Sequence, residues 1–162
     1  MPANTFKHMD PDGFHGKQLS LHDCIANKIL FENNTLCFCL PDGFWVTPQH
    51  DENASDKVVR TDVSVVAFSI EDMDDITVRV FHKKDWSRKE TVELWHVEQL
   101  ISMVNSGKCT IEFITQYRTY GEQMWQCVLH AEKKPYYREM QLYLPKATAT
   151  FCWNRLRMDR QW

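Results

Sequence analysis

The run Val92-Glu93-Leu94-Trp95-His96-Val97-Glu98-Gln99-Leu100-Ile101-Ser102-Met103-Val104-Asn105-Ser106-Gly107 continues as Lys108-Cys109-Thr110-Ile111-Glu112-Phe113-Ile114-Thr115-Gln116-Tyr117, and its hydrophobic period changes once along the way. In the first half Leu94, Val97, Leu100 or Ile101, and Val104 recur every three or four residues, which predicts a helix over about 94–105. Asn105-Ser106-Gly107 ends it, because glycine enters the left-handed conformation favoured just past a helix C-terminus. The second half alternates with period two. Cys109, Ile111, Phe113, Thr115 and Tyr117 fall on one face, and Thr110, Glu112, Ile114, Gln116 and Arg118 on the other. Elsewhere strand patterns dominate. The expected fold class is α+β, mainly β: an antiparallel sandwich or a curled, barrel-like sheet of about eight or nine strands, with the one helix covering its open face or end.

Working outward, Ile76 to His82 alternates cleanly behind the acidic turn Glu71-Asp72-Met73-Asp74-Asp75. Val58 to Ile70 reads as one long strand whose phase slips near Val65-Val66, suggesting a bulge there or burial on both faces. Leu19 to Phe31 and Leu36 to Leu40 form a hairpin around Glu32-Asn33-Asn34-Thr35, since asparagine tolerates positive φ. Pro41-Asp42-Gly43 is a further turn. Downstream, Gln123 to His130, Tyr137 to Leu144 and Ala147 to Trp153 are strands. Residues 1–18, polar with scattered apolar groups, read as a loosely docked arm; 19–154 as one globular domain; and 155–162 as a basic tail that frays.

At 162 residues the chain is long enough for a real core, and its 43% hydrophobic content is ordinary for a globular domain. The net charge of −3 exerts no general pull on nucleic acid or anionic membrane, and neither is expected as a partner. No apolar run has the length of a membrane span, and the first residues lack the apolar segment of a signal peptide, so the expected location is cytoplasmic. The six cysteines are then expected as thiols. Edge strands of an open sheet leave room for a homodimer.

The catalytic motifs are thin. His22-Asp23 opens a strand, where neighbouring side chains point to opposite faces and cannot share a metal; one of them is expected to pin the strand start to backbone. Cys37 and Cys39 are one residue apart with no second pair, which does not make a zinc site, and no metal or cofactor is expected. There is no Gly-x-Ser-x-Gly elbow and no His-Glu-x-x-His pattern, and five glycines supply no phosphate-cradling loop. The expectation is therefore a non-enzymatic protein that binds a protein partner or a small molecule. Strand residues Glu112, Tyr117, Trp125, Arg138 and Tyr143 are the candidate ligand-binding set, an aromatic-lined cleft if their faces converge. Trp45 and Trp86 are the candidate interaction surface. A third alternative uses Glu112 and Glu139 as acid and base.

The opening Leu21-His22-Asp23-Cys24-Ile25-Ala26-Asn27-Lys28-Ile29, the return Thr35-Leu36-Cys37-Phe38, the turn Pro41-Asp42-Gly43-Phe44, and the later Glu98 to Gly107 helix leading into Cys109 to Phe113 resemble a family of bacterial domains of unassigned function, remotely similar to toxin-immunity-like proteins. In pattern the resemblance covers about two-thirds of the chain. It implies a bacterial, cytoplasmic, β-rich domain and carries no catalytic residue.

Overall fold

A computed structural model describes residues 6–11, 18–83, 90–120 and 122–162. In chain order the strands are β1 (His8–Asp10), β2 (Leu19–Ser20), β3 (Cys24–Ala26), β4 (Lys28–Glu32), β5 (Thr35–Leu40), β6 (Trp45–Val46), β7 (Val59–Thr61), β8 (Ser64–Ser69), β9 (Thr77–Lys83) and β10 (Glu90–Trp95). Helix α1 (Val97–Asn105) follows, then β11 (Cys109–Thr119), β12 (Glu122–Ala131), β13 (Tyr137–Pro145), β14 (Thr148–Trp153) and β15 (Leu156–Gln161). The fold is mainly β, as the alternation requires, and no described sheet closes into a barrel.

Three antiparallel sheets form, ordered β1-β14-β8-β5-β4, β10-β9-β13-β12-β11-β3 and β15-β7-β6-β2. The first two face one another as a sandwich. Phe38 of β5 meets Phe113 of β11 edge-on at 5.2 Å, and Phe68 of β8 meets Trp125 of β12 at 6.5 Å. The third sheet joins the same core at one end, where Phe44 packs on Phe151 and Trp153. Large aromatics thus fill the space between the sheets, where each ring removes the most apolar surface from water.

Helix α1 buries Val97, Leu100 and Val104 against this core. It stops where its sequence says. Gly107 (φ +73°) donates its N–H to Val104 and Lys108 donates to Met103, which is the paired closure of a Schellman motif. Its start differs from expectation. Val92 to Trp95 belong to β10, which pairs with β9 from Glu90↔Lys83 to Trp95↔Val78. The Leu94–Val97 spacing therefore spans a strand–helix junction: Leu94 faces outward and is 68% exposed, while Trp95 turns into the core. Cross-strand pairing outweighs a local helical spacing here.

Other boundaries shift for similar reasons. Leu19 to Phe31 divides into β2, β3 and β4: Asp23 turns the chain at φ +56° after β2, and at Asn27 the chain passes from pairing with β11 to pairing with β5. Val58 to Ile70 breaks at Asp62-Val63 into β7 and β8; no bulge occurs at Val65-Val66, and the phase slips because β8 is buried on both faces, Val66 and Phe68 on one and Val65 and Ala67 on the other. His8–Asp10, inside the segment read as an arm, pairs with β14, and Leu156–Gln161, read as a fraying tail, pairs with β7. The Asn33-Asn34 turn forms as expected, with both residues at positive φ.

The long strand β11 carries the irregularity that matters most for side-chain placement. Its register with β12 shifts between Phe113 and Thr115, so Ile114 is an extra residue. Before it, odd residues face the core. After it, Gln116 stands opposite core-facing Trp125, and Tyr117 opposite outward-facing Met124. The bulge thereby moves Thr115 and Tyr117 off the face that Cys109, Ile111 and Phe113 share.

Candidate functional site

The five residues expected to line one cleft divide between the two faces of the six-stranded sheet. Trp125 is buried in the core on Phe68 and Phe113. Arg138 stands opposite core-facing Leu129 and lays its guanidinium 5.2 Å from the centre of the buried Trp95 ring. Glu112, Tyr117 and Tyr143 point outward: Glu112 opposes Val128, while Tyr117 and Tyr143 both oppose Met124 from either side. They do not converge with Trp125 and Arg138, because adjacent strand residues face opposite ways and the bulge at Ile114 reverses the phase.

Glu112 and Tyr143 each have a local partner. The Glu112 carboxylate meets His130 Nε2 at 2.5 Å. Glu122 beside Tyr143 raises that phenol above its ordinary pKa. Glu139, in the transverse row of Glu112 and Val128, accepts from Lys83 Nζ at 3.2 Å. Lys83 is held above its usual range by that hydrogen bond and by the carboxylate charge.

Of the expected interaction residues, Trp86 lies outside the described residues. Trp45 is half-buried: it stacks on Trp162 at 5.4 Å, receives Arg60 over its ring at 4.7 Å, and donates its indole N–H to the His22 carbonyl. His22 and Asp23 lie in a turn between β2 and β3 and not at a strand start, so their side chains meet at 3.4 Å and do not point to opposite faces; His22 still pins this turn to backbone. Its Nδ1 lies 2.6 Å from the carbonyl of Ile114, the bulged residue, so the imidazole satisfies backbone that strand pairing disturbs. Among the described residues no group of three or more His, Cys, Asp or Glu side chains is arranged to hold a metal. All six cysteines are free, and burial raises the Cys24 thiol to about 12.

The concave site is one that alternation does not reveal. Strands β9 and β13 are paired from Tyr143↔Thr77 to Met140↔Val80, and there their ladder ends. Beyond that point β10 accompanies β9 as far as Lys83, and β12 accompanies β13 as far as Tyr137. The sheet therefore forks into two hairpins. The fork holds a cleft of about 690 Å³, lined by Phe81, His82, Lys83 and Glu90 on one side and by Lys134 to Glu139 on the other. That size lies within the ordinary range for small-ligand sites.

The fork is held by polar contacts of unequal kind. Lys83 and Glu139 bridge its two arms. His82 Nε2 lies 2.8 Å from Glu93 on β10. The Trp95 indole and His82 together draw the Glu93 carboxyl below its usual range, although the Trp95 N–H closes no hydrogen bond of good geometry. Phe81, Pro135, Tyr136 and Tyr137 supply the apolar lining. A second, smaller cavity of about 140 Å³ lies between Leu19–His22, Ile114, Gln116 and Trp125. In comparisons of sequence and of fold, no family model, no curated protein and no solved structure matches this chain.

Proposed function

We propose that this protein binds a small organic molecule in the fork of its six-stranded sheet, without catalysing its conversion. The observation that carries this reading is the end of the β9–β13 ladder at Val80 and Met140, which opens a cleft lined by three aromatic side chains and by Arg138. Past that point β9 and β13 each pair on one side only, so their facing edges border the cleft. The test is a fragment screen read by amide chemical shifts. Shifts concentrated on Phe81–Lys83, Glu90 and Lys134–Glu139 support the reading. A screen of apolar and aromatic fragments that leaves those amides unmoved refutes it.

A second reading is favoured by the outward face of the same sheet. Val92 and Leu94 on its edge strand are 52% and 68% exposed, and Tyr137, on the same face of β13, is 71% exposed. Apolar side chains gathered on one uncovered face suit a protein partner, the role that the immunity-like resemblance implies. A protein that co-purifies and is released by Leu94→Lys would favour this reading over the first.

A further inference from the structure

We propose that the cleft is built for an organic anion: a ligand with a planar apolar body and a carboxylate, the carboxylate held by Arg138. The inference rests on the reading of the fork as a ligand site and names the chemistry of what it takes. Three observations support it.

First, the guanidinium of Arg138 is held in place, and its charge acts on Glu93 without an ion pair closing between them. It lies over the ring of Trp95, which is 5% exposed and therefore a fixed platform. Among the described residues it forms no ion pair, whereas Lys83 is bound to Glu139 and His82 to Glu93. A guanidinium stacked on an indole keeps its edge N–H groups free to meet a carboxylate in two parallel hydrogen bonds. Glu93 on β10 is a competing acid, and its carboxylate is already engaged by His82.

Second, the charge of the lining favours an anion. Lys83, Lys134 and Arg138 stand against Glu90 and Glu139. With Lys83 and Glu139 neutralising each other across the fork, Lys134 and Arg138 stand against Glu90 among the described lining residues. Third, the remaining lining is aromatic and flat: Phe81, Tyr136 and Tyr137, with Pro135. Such walls suit a planar body better than a sugar or a flexible chain.

The experiment compares two probes of one shape, 1-naphthoate and 1-naphthalenemethanol, by calorimetry and by amide shifts on the full chain. The expected result is shifts at Phe81–Lys83 and Lys134–Glu139 with both probes, and an affinity for the carboxylate about tenfold or more above that for the alcohol. In Arg138→Met that preference disappears while the alcohol still binds. If Arg138→Met fails to fold, the ratio of the two probes on the unaltered protein decides alone. Equal affinities overturn the anion inference and leave the cleft reading standing. Failure of both probes to move the fork amides at millimolar concentration overturns both.

Discussion

Asn105 closes α1 and also finishes a sheet, and replacing it tests both roles. Its side chain accepts the N–H of Ile29 through Oδ1 and donates Nδ2–H to the carbonyl of the same residue, each at 2.8 Å. Ile29 sits on β4, the edge of the five-stranded sheet. The carboxamide therefore does for one residue what a neighbouring strand would do, and it couples the helix to the sheet edge. Asn105→Ala removes two hydrogen bonds worth about 1 kcal/mol each. Because the Ile29 side chain is fully buried, β4 cannot swing out to give the orphaned groups to water. Some desolvation cost is then added, and the expected loss is about 2–4 kcal/mol. For a chain of this size that lowers the Tm by roughly 5–10 °C. Asn105→Asp keeps the acceptor but sets a carboxylate oxygen against the Ile29 carbonyl, so at neutral pH it should be no more stable than the alanine variant. Urea unfolding followed by circular dichroism measures both. A loss below about 0.5 kcal/mol in Asn105→Ala would falsify the reasoning, since it would mean that water replaces the carboxamide at no cost.

Two glycines offer a matched comparison. Gly43 (φ +74°) and Gly107 (φ +73°) share a conformation, but a Cβ on Gly43 would lie 2.3 Å from the Thr61 carbonyl oxygen, while one on Gly107 meets nothing within 4 Å. Gly107→Ala should cost about 1 kcal/mol, the left-handed penalty alone, and Gly43→Ala at least about 3 kcal/mol or the loss of soluble protein; equal costs would show that the β5–β6 turn moves freely away from β7. The buried thiols predict an alkaline limit. Burial lifts Cys24 from 9.0 to about 12 and Cys37 to about 11. Both contribute fully below pH 9; as pH rises from about 9 toward those values, the unfolded chain ionises and the native one does not, so stability falls. Cys24→Ala should make the fall in urea midpoint from pH 8 to pH 10 shallower, and an unchanged slope would remove Cys24 as a cause.

Much of the architecture is legible in the sequence because burial on one face of a strand writes itself as alternation. The clean runs Ile76–His82 and Gln123–His130 are strands, and the Gly107 stop falls where it should. The misplaced boundaries have specific causes. Leu94 keeps step with Val97 in a helical count, yet its backbone belongs to the ladder with Arg79. That ladder depends on a strand that is non-local in sequence, so no window around Leu94 contains it. Leu156–Gln161 looks like a fraying tail because its side chains stay largely exposed; what orders it is backbone pairing to β7, which leaves no hydrophobic pattern.

The candidate site shows a sharper version of the same limit. Alternation gives the face of a residue only while the register holds, and one extra residue at Ile114 sends Tyr117 to the side opposite Trp125. Arg138 was recoverable, as a strand cation among aromatics, but not for the reason it matters. Its importance comes from where β9 and β13 stop pairing, and a ladder's end leaves no mark on either strand: Phe81 and Lys83 continue the outward phase of Thr77 and Arg79 without a break. A residue at a core-facing position that is charged and only half-buried is the one trace available. In β13 the inward positions read Arg138, Met140, Leu142, Leu144, and the first of them is the anomaly. A cation is tolerated inward only where the sandwich is already open, so that anomaly locates the mouth of the fork more reliably than any outward-facing aromatic does.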